Sequence, residues 1–367
     1  MSTKEDPVSE LPLERSDARI RQMMPRLLEE RESSGLKGLV GGLEAVIINT
    51  EPAYQKAAVE ELLRYTGLEL EGAYDTGGHS TFVLKTGNSA AFLISSRQKD
   101  NPFWGANLFP RTGHLPNTRL ETLVFEIRDI DRYVSIQRSL GTPFMTDRVL
   151  EAPGYRFIQT APSPYTGNSL GFVQWRRRGD FLSAGPEAAT AGLEKPDRDH
   201  LRNIRHLDHA ATRVRAEERD AAILEFMRLT NYEFDFAIYV QSLNSITSVA
   251  RLKGERYAMV FTSGISSFVD LSTSGPTEKF IHNYGTRVHH MAFHTEKIEE
   301  TFQAIKDDGM EFLIELVGSP EEGLKQTFTV PSPSTMLVNE YIHRYGDFDG
   351  FFTRSNVTRL TKATDRQ

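Results

Sequence analysis

Three residues in the second half of this chain have the types needed to hold a transition metal: His209, His290 and Glu340. Each falls in a short apolar run that reads as a strand. His209 follows Leu207-Asp208. His290 lies in Gly285-Thr286-Arg287-Val288-His289-His290-Met291-Ala292-Phe293-His294-Thr295, and Glu340 stands between Val338 and Ile342. Strand alternation puts Val288, His290 and Ala292 on one face, with His289, Met291 and Phe293 on the other. A lone buried imidazole is most often a hydrogen-bonded core residue. A carboxylate on a buried face is harder to explain, because it needs a cation or a partner, and no Arg or Lys at matching depth is evident. Two imidazoles and one carboxylate from separate strands of a curved sheet make the facial triad of non-haem Fe(II) sites, which leaves the opposite side of the metal for a chelating substrate and O2. Asp208 or a backbone carbonyl is placed to orient an imidazole from behind. His206, His289 and His294 are expected on the opposite face or at strand ends, as structural residues.

The elements that must position the triad come as a repeat. In the first half, strands over 43–49, 80–85 and 90–96 surround a helix over 54–66, with Thr86-Gly87-Asn88 as the turn of a strand pair. A strand over 119–127, a helix over 132–140 and strands over 156–160 and 170–176 follow. After Gly185-Pro186 the order begins again: a strand at 206–214, a helix at 221–230, strands at 245–252 and 257–263, a strand at 288–295, a helix at 297–307, then strands at 327–330 and 335–342. Residues 119–126 align with 287–294 at an offset of 168 (287 − 119), and 43–45 with 207–209 at 164 (207 − 43). Residues 172–175 align with 338–341 at 166 (340 − 174). Near-constant offsets are the mark of a duplicated module. On these alignments the triad positions become Ala45, Thr122 and Gln174 in the first half, a set that cannot bind a metal.

Five segments follow from this pattern. They are an amphipathic helical extension (1–40, apolar spacing from Leu11 to Glu32), a first module without metal (41–184), a linker (185–203), a second, catalytic module (204–345) and a tail (346–367). Composition narrows the function classes. The 367 residues are 39% hydrophobic and 25% charged, with net charge −7, which disfavours a nucleic-acid partner. The run Arg176-Arg177-Arg178 reads as a solvated strand end. With no cysteine, thiolate and iron–sulfur chemistry are excluded. No apolar run is long enough to span a bilayer, and no signal pattern is present, so a cytoplasmic location is expected.

The second half also resembles a known family, the two-module vicinal-oxygen-chelate dioxygenases related to 4-hydroxyphenylpyruvate dioxygenase and 4-hydroxymandelate synthase. The resemblance is carried by Leu207-Asp208-His209, Leu243-Asn244-Ser245, Val288-His289-His290-Met291-Ala292-Phe293, Gln326-Thr327-Phe328-Thr329 and Asn339-Glu340-Tyr341-Ile342-His343-Arg344. The tail from Gly350-Phe351-Phe352-Thr353 to Leu360 is similar to that family's C-terminal helix. It implies an α+β fold of tandem βαβββ modules forming two open mixed β-barrels, with an N-terminal helix and a C-terminal capping helix. It further implies Fe(II) held by His209, His290 and Glu340, and a substrate side formed by Ser245, Thr262, Gln326, Phe352 and Asn356, the last two one turn apart on the capping helix. In that family a 2-oxo acid chelates the iron, O2 drives its decarboxylation, and the remainder of the molecule is hydroxylated. The expected partners are therefore a small 2-oxo acid and O2, in a homodimer or higher homo-oligomer. Two departures bear on the substrate: Phe261-Thr262-Ser263-Gly264 replaces an amide-bearing strand end, and the stretch from Phe312 to Gln326 is short. Extradiol ring cleavage and non-catalytic ligand binding remain as alternatives.

Overall fold

The computed structural model describes residues 14–367, except 88, 98, 99, 191, 347 and 349. The start of the expected N-terminal helix and Asn88 of the expected turn lie outside the described residues. Two sheets of eight strands follow the same plan. In the first, β1 (Val40–Asn49), α2 (Gln55–Tyr65), β2 (Glu69–Asp75), β3 (His79–Lys85) and β4 (Ala91–Arg97) form one βαβββ unit. The unit β5 (Arg119–Ile127), α3 (Ile130–Ser139), β6 (Leu150–Glu151), β7 (Tyr155–Gln159) and β8 (Ser169–Trp175) forms its counterpart. The strand order β2-β3-β4-β1-β5-β8-β7-β6 joins the two units through the antiparallel pair β1–β5.

The second sheet repeats this as β10-β11-β12-β9-β13-β16-β15-β14. Its strands are β9 (Ile204–Arg213), β10 (Glu233–Val240), β11 (Ser245–Arg251), β12 (Ala258–Ser263), β13 (Arg287–Thr295), β14 (Phe312–Ser319), β15 (Leu324–Thr329) and β16 (Val338–Arg344). Helices α4 (Arg219–Leu229) and α6 (Ile298–Asp307) take the places of α2 and α3, and α5 (Pro276–Tyr284) is inserted before β13. The fold is thus α+β with tandem βαβββ units curling into two open barrels, as expected. Helix α1 (Glu14–Ser34) precedes the first module and α7 (Arg354–Ala363) caps the second.

The helix-covered sheet faces of the two modules share one core. Phe92 stacks on Phe293 with ring centroids 5.7 Å apart, and Phe125 meets the edges of Phe226, Tyr232 and Tyr257. Around it, Tyr341 Oη donates to Tyr65 O (2.7 Å) and Arg64 forks onto Asp308. Helix α1 buries Ile20 and Leu27, and its buried Arg31 donates to Met227 O and Tyr232 O, tying the extension to the second module. The concave faces of the sheets are left for other work.

One register differs from the sequence alignment. Thr122 pairs with Ser169 and Val124 with Gly171, as His290 pairs with Val338 and Ala292 with Glu340. Glu340 therefore corresponds to Gly171 and not to Gln174, a true offset of 169 (340 − 171). Gln174 instead accepts from the backbone N–H of Ile130 at the start of α3. At Gly171 the ring of Phe157 lies 2.7 Å from where a Cβ would be, so an aromatic ring fills the space a carboxylate takes in the other module.

Candidate metal centre

The concave face of the second sheet gathers all three proposed ligands from adjacent strands: His209 on β9, His290 on β13 and Glu340 on β16. They are buried, and their ligand atoms lie within 4.8 Å of one another. His209 Nε2 is 3.2 Å and His290 Nε2 is 3.3 Å from the same atom, Glu340 Oε2. His209 Nε2 is buried, yet has no hydrogen-bond partner among the described residues. An orphaned imidazole nitrogen beside a second imidazole and a carboxylate oxygen is the donor set a divalent transition metal satisfies. The residues fit the iron that the sequence reading expects.

Behind each ligand sits a residue that fixes it. Asp208 Oδ1 is 2.8 Å from His209 Nδ1, and Arg344 donates to both Asp208 oxygens. Burial works to raise the Asp208 pKa, but Arg344 and His209 outweigh it and hold this carboxyl well below the usual carboxylate range. Asp208 is thus an acceptor, which places the His209 proton on Nδ1 and the lone pair on Nε2. Burial opposes protonating His209 further, but Glu340 and Asp208 hold the imidazole up at about 9. A divalent cation would satisfy Glu340 in place of that second proton. Gln326 Nε2 donates to Glu340 Oε1 (2.6 Å), leaving Oε2 for the metal side.

His290 has the least expected partner. A β-bulge in β13, where Val288 pairs with Thr212 but His290 with Ala211, leaves His289 without an opposite residue and turns it toward the site. His289 therefore does not lie on the opposite face, as simple alternation predicts. Val288 packs with Met291 and Phe293 in the shared core instead. His206 and His294 stack on each other, with 5.0 Å between ring centroids.

Gln326 and His289 directly, and Asp208 through Arg344, are tied to the C-terminal segment. Asn356 Nδ2 donates to Gln326 Oε1 (3.0 Å), Arg344 Nη2 donates to Phe351 O (3.2 Å), and His289 Nε2 lies 2.8 Å from Gln367 Oε1. Phe351 and Phe352 set their rings against His209 at 5.5 and 5.1 Å, and Phe328 sets its ring against His290 at 4.7 Å.

The cavity in front of the triad includes Thr262, Gln326 and Phe352 in its lining. Phe352 precedes the N-cap Thr353, so it sits before α7 and not on it. Asn356 is on α7, buried, and acts through Gln326. Ser245 lies outside the lining; Thr247, one alternation inward on β11 and opposite Thr262, takes that place. Arg213 also lines the cavity and was missed in the sequence, where Thr212-Arg213-Val214-Arg215 reads as a charged strand end. The free space is about 50 Å³, too little for an organic substrate, so α7 or the side chains beneath it must give way for one to enter.

The same architecture occurs in known proteins. The fold is that of tandem vicinal-oxygen-chelate modules, paired βαβββ units curled around a concave face. No family model matches the sequence, and no curated protein matches it. Among solved structures, a triple mutant of 4-hydroxymandelate synthase from Streptomyces coelicolor superposes with a TM-score of 0.67 at 15% identity, over 89% of this chain and 98% of that one. A xylose isomerase-like TIM barrel/4-hydroxyphenylpyruvate dioxygenase fusion protein gives 0.61 at 15% identity, over 98% of this chain and 61% of the fusion.

Proposed function

We propose that this protein is a non-haem Fe(II) dioxygenase that decarboxylates and hydroxylates a 2-oxo acid with O2, the substrate being of the 4-hydroxyphenylpyruvate type or a related aryl or alkyl 2-oxo acid. The observation that carries this reading is the convergence of His209 Nε2 and His290 Nε2 on Glu340 Oε2 in a buried cavity. Likeness of fold to a 4-hydroxymandelate synthase supports it. Iron, when bound, supplies the redox chemistry and the coordination positions for substrate and O2.

The chain's own residues supply the rest. Asp208 and Gln326 fix which atoms of His209 and Glu340 face the cavity. Phe328 and Phe352 wall it with apolar rings and exclude water. The hydroxyls of Thr247 and Thr262 offer hydrogen bonds to the part of the substrate away from the metal. Apart from His289, His290 and Glu340, which are taken up by the metal site, no imidazole or carboxylate lines the cavity among the described residues, which suits a reaction that releases CO2 and inserts oxygen more than one that needs an acid–base pair.

The test is O2 consumption and CO2 release by the Fe(II)-loaded protein on a panel of 2-oxo acids. Stoichiometric release of CO2 with at least one acid is expected. Turnover of catechols to yellow ring-opened products, without CO2 from any oxo acid, would replace this reading by extradiol cleavage. Tight ligand binding with no O2 uptake would replace it by a binding module.

A further inference from the structure

The concave face of the second module ends in a cation. Arg213 is the last residue of β9, two alternations beyond His209 on the same face, about 13 Å of strand away. Its side chain is only 4% exposed, and no carboxylate lies within ion-pair distance among the described residues. Its contacts are a long hydrogen bond from Nη1 to Pro276 O (3.4 Å) and the ring of Phe280, 4.4 Å from the guanidinium carbon. Burial lowers its pKa to about 9, so it remains charged at neutral pH.

Other buried or half-buried arginines of this chain are placed differently. Arg97 is paired with Glu121 and Arg344 with Asp208. Arg119 and Arg287 donate across the contact between modules, to Thr286 O and Thr118 O. Arg213 alone among these fronts the cavity of the triad. Around that cavity stand the hydroxyl-bearing residues Thr247, Thr262, Thr277, Thr361 and Thr364, and its only acid among the described residues is Glu340, committed at the metal end. At the offset of 164, Arg213 corresponds to Asn49, which donates to Asn117 O. The charge therefore belongs to the module with the triad and is not a feature of the fold.

A buried charge without a counter-ion is expensive, and hydroxyls with an arginine form a site for an oxyanion. We infer that the substrate is a doubly anionic 2-oxo acid, chelating the metal through its 2-oxo carboxylate and pairing a second acidic group with Arg213. This rests on the oxo-acid reading above and narrows it: a neutral aryl or alkyl tail would leave Arg213 desolvated and unpaired.

The test is calorimetric affinity measured anaerobically on the full Fe(II)-loaded chain, with acids matched in shape and differing in charge. Suitable pairs are 2-oxoadipate against 2-oxohexanoate, and 4-carboxyphenylpyruvate against 4-methylphenylpyruvate. In at least one pair the dianion should bind about tenfold or more tighter, the size of a charge-assisted hydrogen bond. Arg213→Met should abolish that preference at unchanged iron content, and Arg213→Lys should keep part of it. Equal affinities within both pairs, or a preference that survives Arg213→Met, overturns the inference. So does an equal loss for both members of a pair, which would mean that Arg213 meets the 2-oxo carboxylate itself. Metal-dependent binding of the monoanions without a dianion preference would leave the oxo-acid reading standing; no metal-dependent binding by any of the four acids would overturn both.

Discussion

His289 Nδ1 lies 2.8 Å from His290 Nδ1, and the far nitrogen of His289 lies 2.8 Å from Gln367 Oε1. Two facing imidazole nitrogens can bond only if one carries the proton. Gln367 Oε1 is an acceptor, so His289 is protonated on Nε2 and accepts at Nδ1. His290 then donates from Nδ1 and presents a bare Nε2 toward Glu340 Oε2. Burial beside Arg213 holds His289 well below the usual imidazole pKa, which keeps it neutral and able to accept. The same logic, run through Asp208, frees His209 Nε2.

His289→Phe keeps the ring and removes the acceptor, so His290 loses its orienting bond. Metal affinity should fall by about 10–100-fold, the usual cost of losing such a partner. Metal titration of the two proteins checks this. An unchanged affinity would make His289 a packing residue only.

The two modules should differ in metal binding. The intact protein should bind about one Fe(II) per chain, and Ala at His209, His290 or Glu340 should abolish tight binding. Gln174→Ala should leave iron content unchanged and cost about 1 kcal/mol of stability through the start of α3, where its amide oxygen accepts from Ile130 N. Iron analysis with denaturant unfolding measures both, and a second iron lost on Gln174→Ala would defeat the one-site reading.

The triad was legible because residue type and strand context are both local: a carboxylate flanked by Val338 and Ile342 is anomalous in any buried strand. What lay outside the sequence reading depends on pairing. The strands it omitted, β2, β6, β10 and β14, are the four sheet edges. In β2, β10 and β14 register shifts break the period of two that marks a strand, and β6 has only two residues. The bulge that turns His289 inward cannot be seen without β9 beside it. Gln174 was aligned with Glu340 by similarity of side chain, whereas the β5–β8 register assigns that place to Gly171, with Phe157 filling the space. Arg213 and Arg344 sit at strand ends, where charge ordinarily means solvent, and here the barrel curvature and the C-terminal segment cover them.

Asp308 should make the contact between modules sensitive to acid. Arg64 and Arg198 hold its carboxyl below the ordinary value of 3.8. A carboxyl depressed by folding contributes stability that is fully present above its unfolded pKa and is lost as pH falls through the folded one. The melting temperature of Asp308→Asn should therefore lie below that of the intact protein at neutral pH, and the two should converge as the pH drops below about 3.8. A gap that persists unchanged into acid would mean that Asp308 acts through shape and not through charge.

The C-terminal segment should govern coupling more than metal binding. Phe352, Val357 and Leu360 line the cavity over the triad, and the free space beneath them is too small for a substrate. Opening must therefore accompany entry, and reclosure excludes water while the reaction runs. Removing residues 350–367 takes away Asn356 and Gln367 but leaves Asp208, Gln326 and His289, the residues that touch the ligands directly. Iron affinity should change little, whereas O2 consumption should outrun product. Phe352→Ala should raise the apparent KM and the uncoupled fraction, and the surface change Lys362→Ala should do neither. The readout is the ratio of product formed to O2 consumed at equal iron loading. If truncation leaves that ratio unchanged, the segment is packing and the relays through Gln326, Arg344 and His289 serve only to hold it in place. If iron is lost together with coupling, those relays hold the ligands themselves, and the closed segment is part of the metal site.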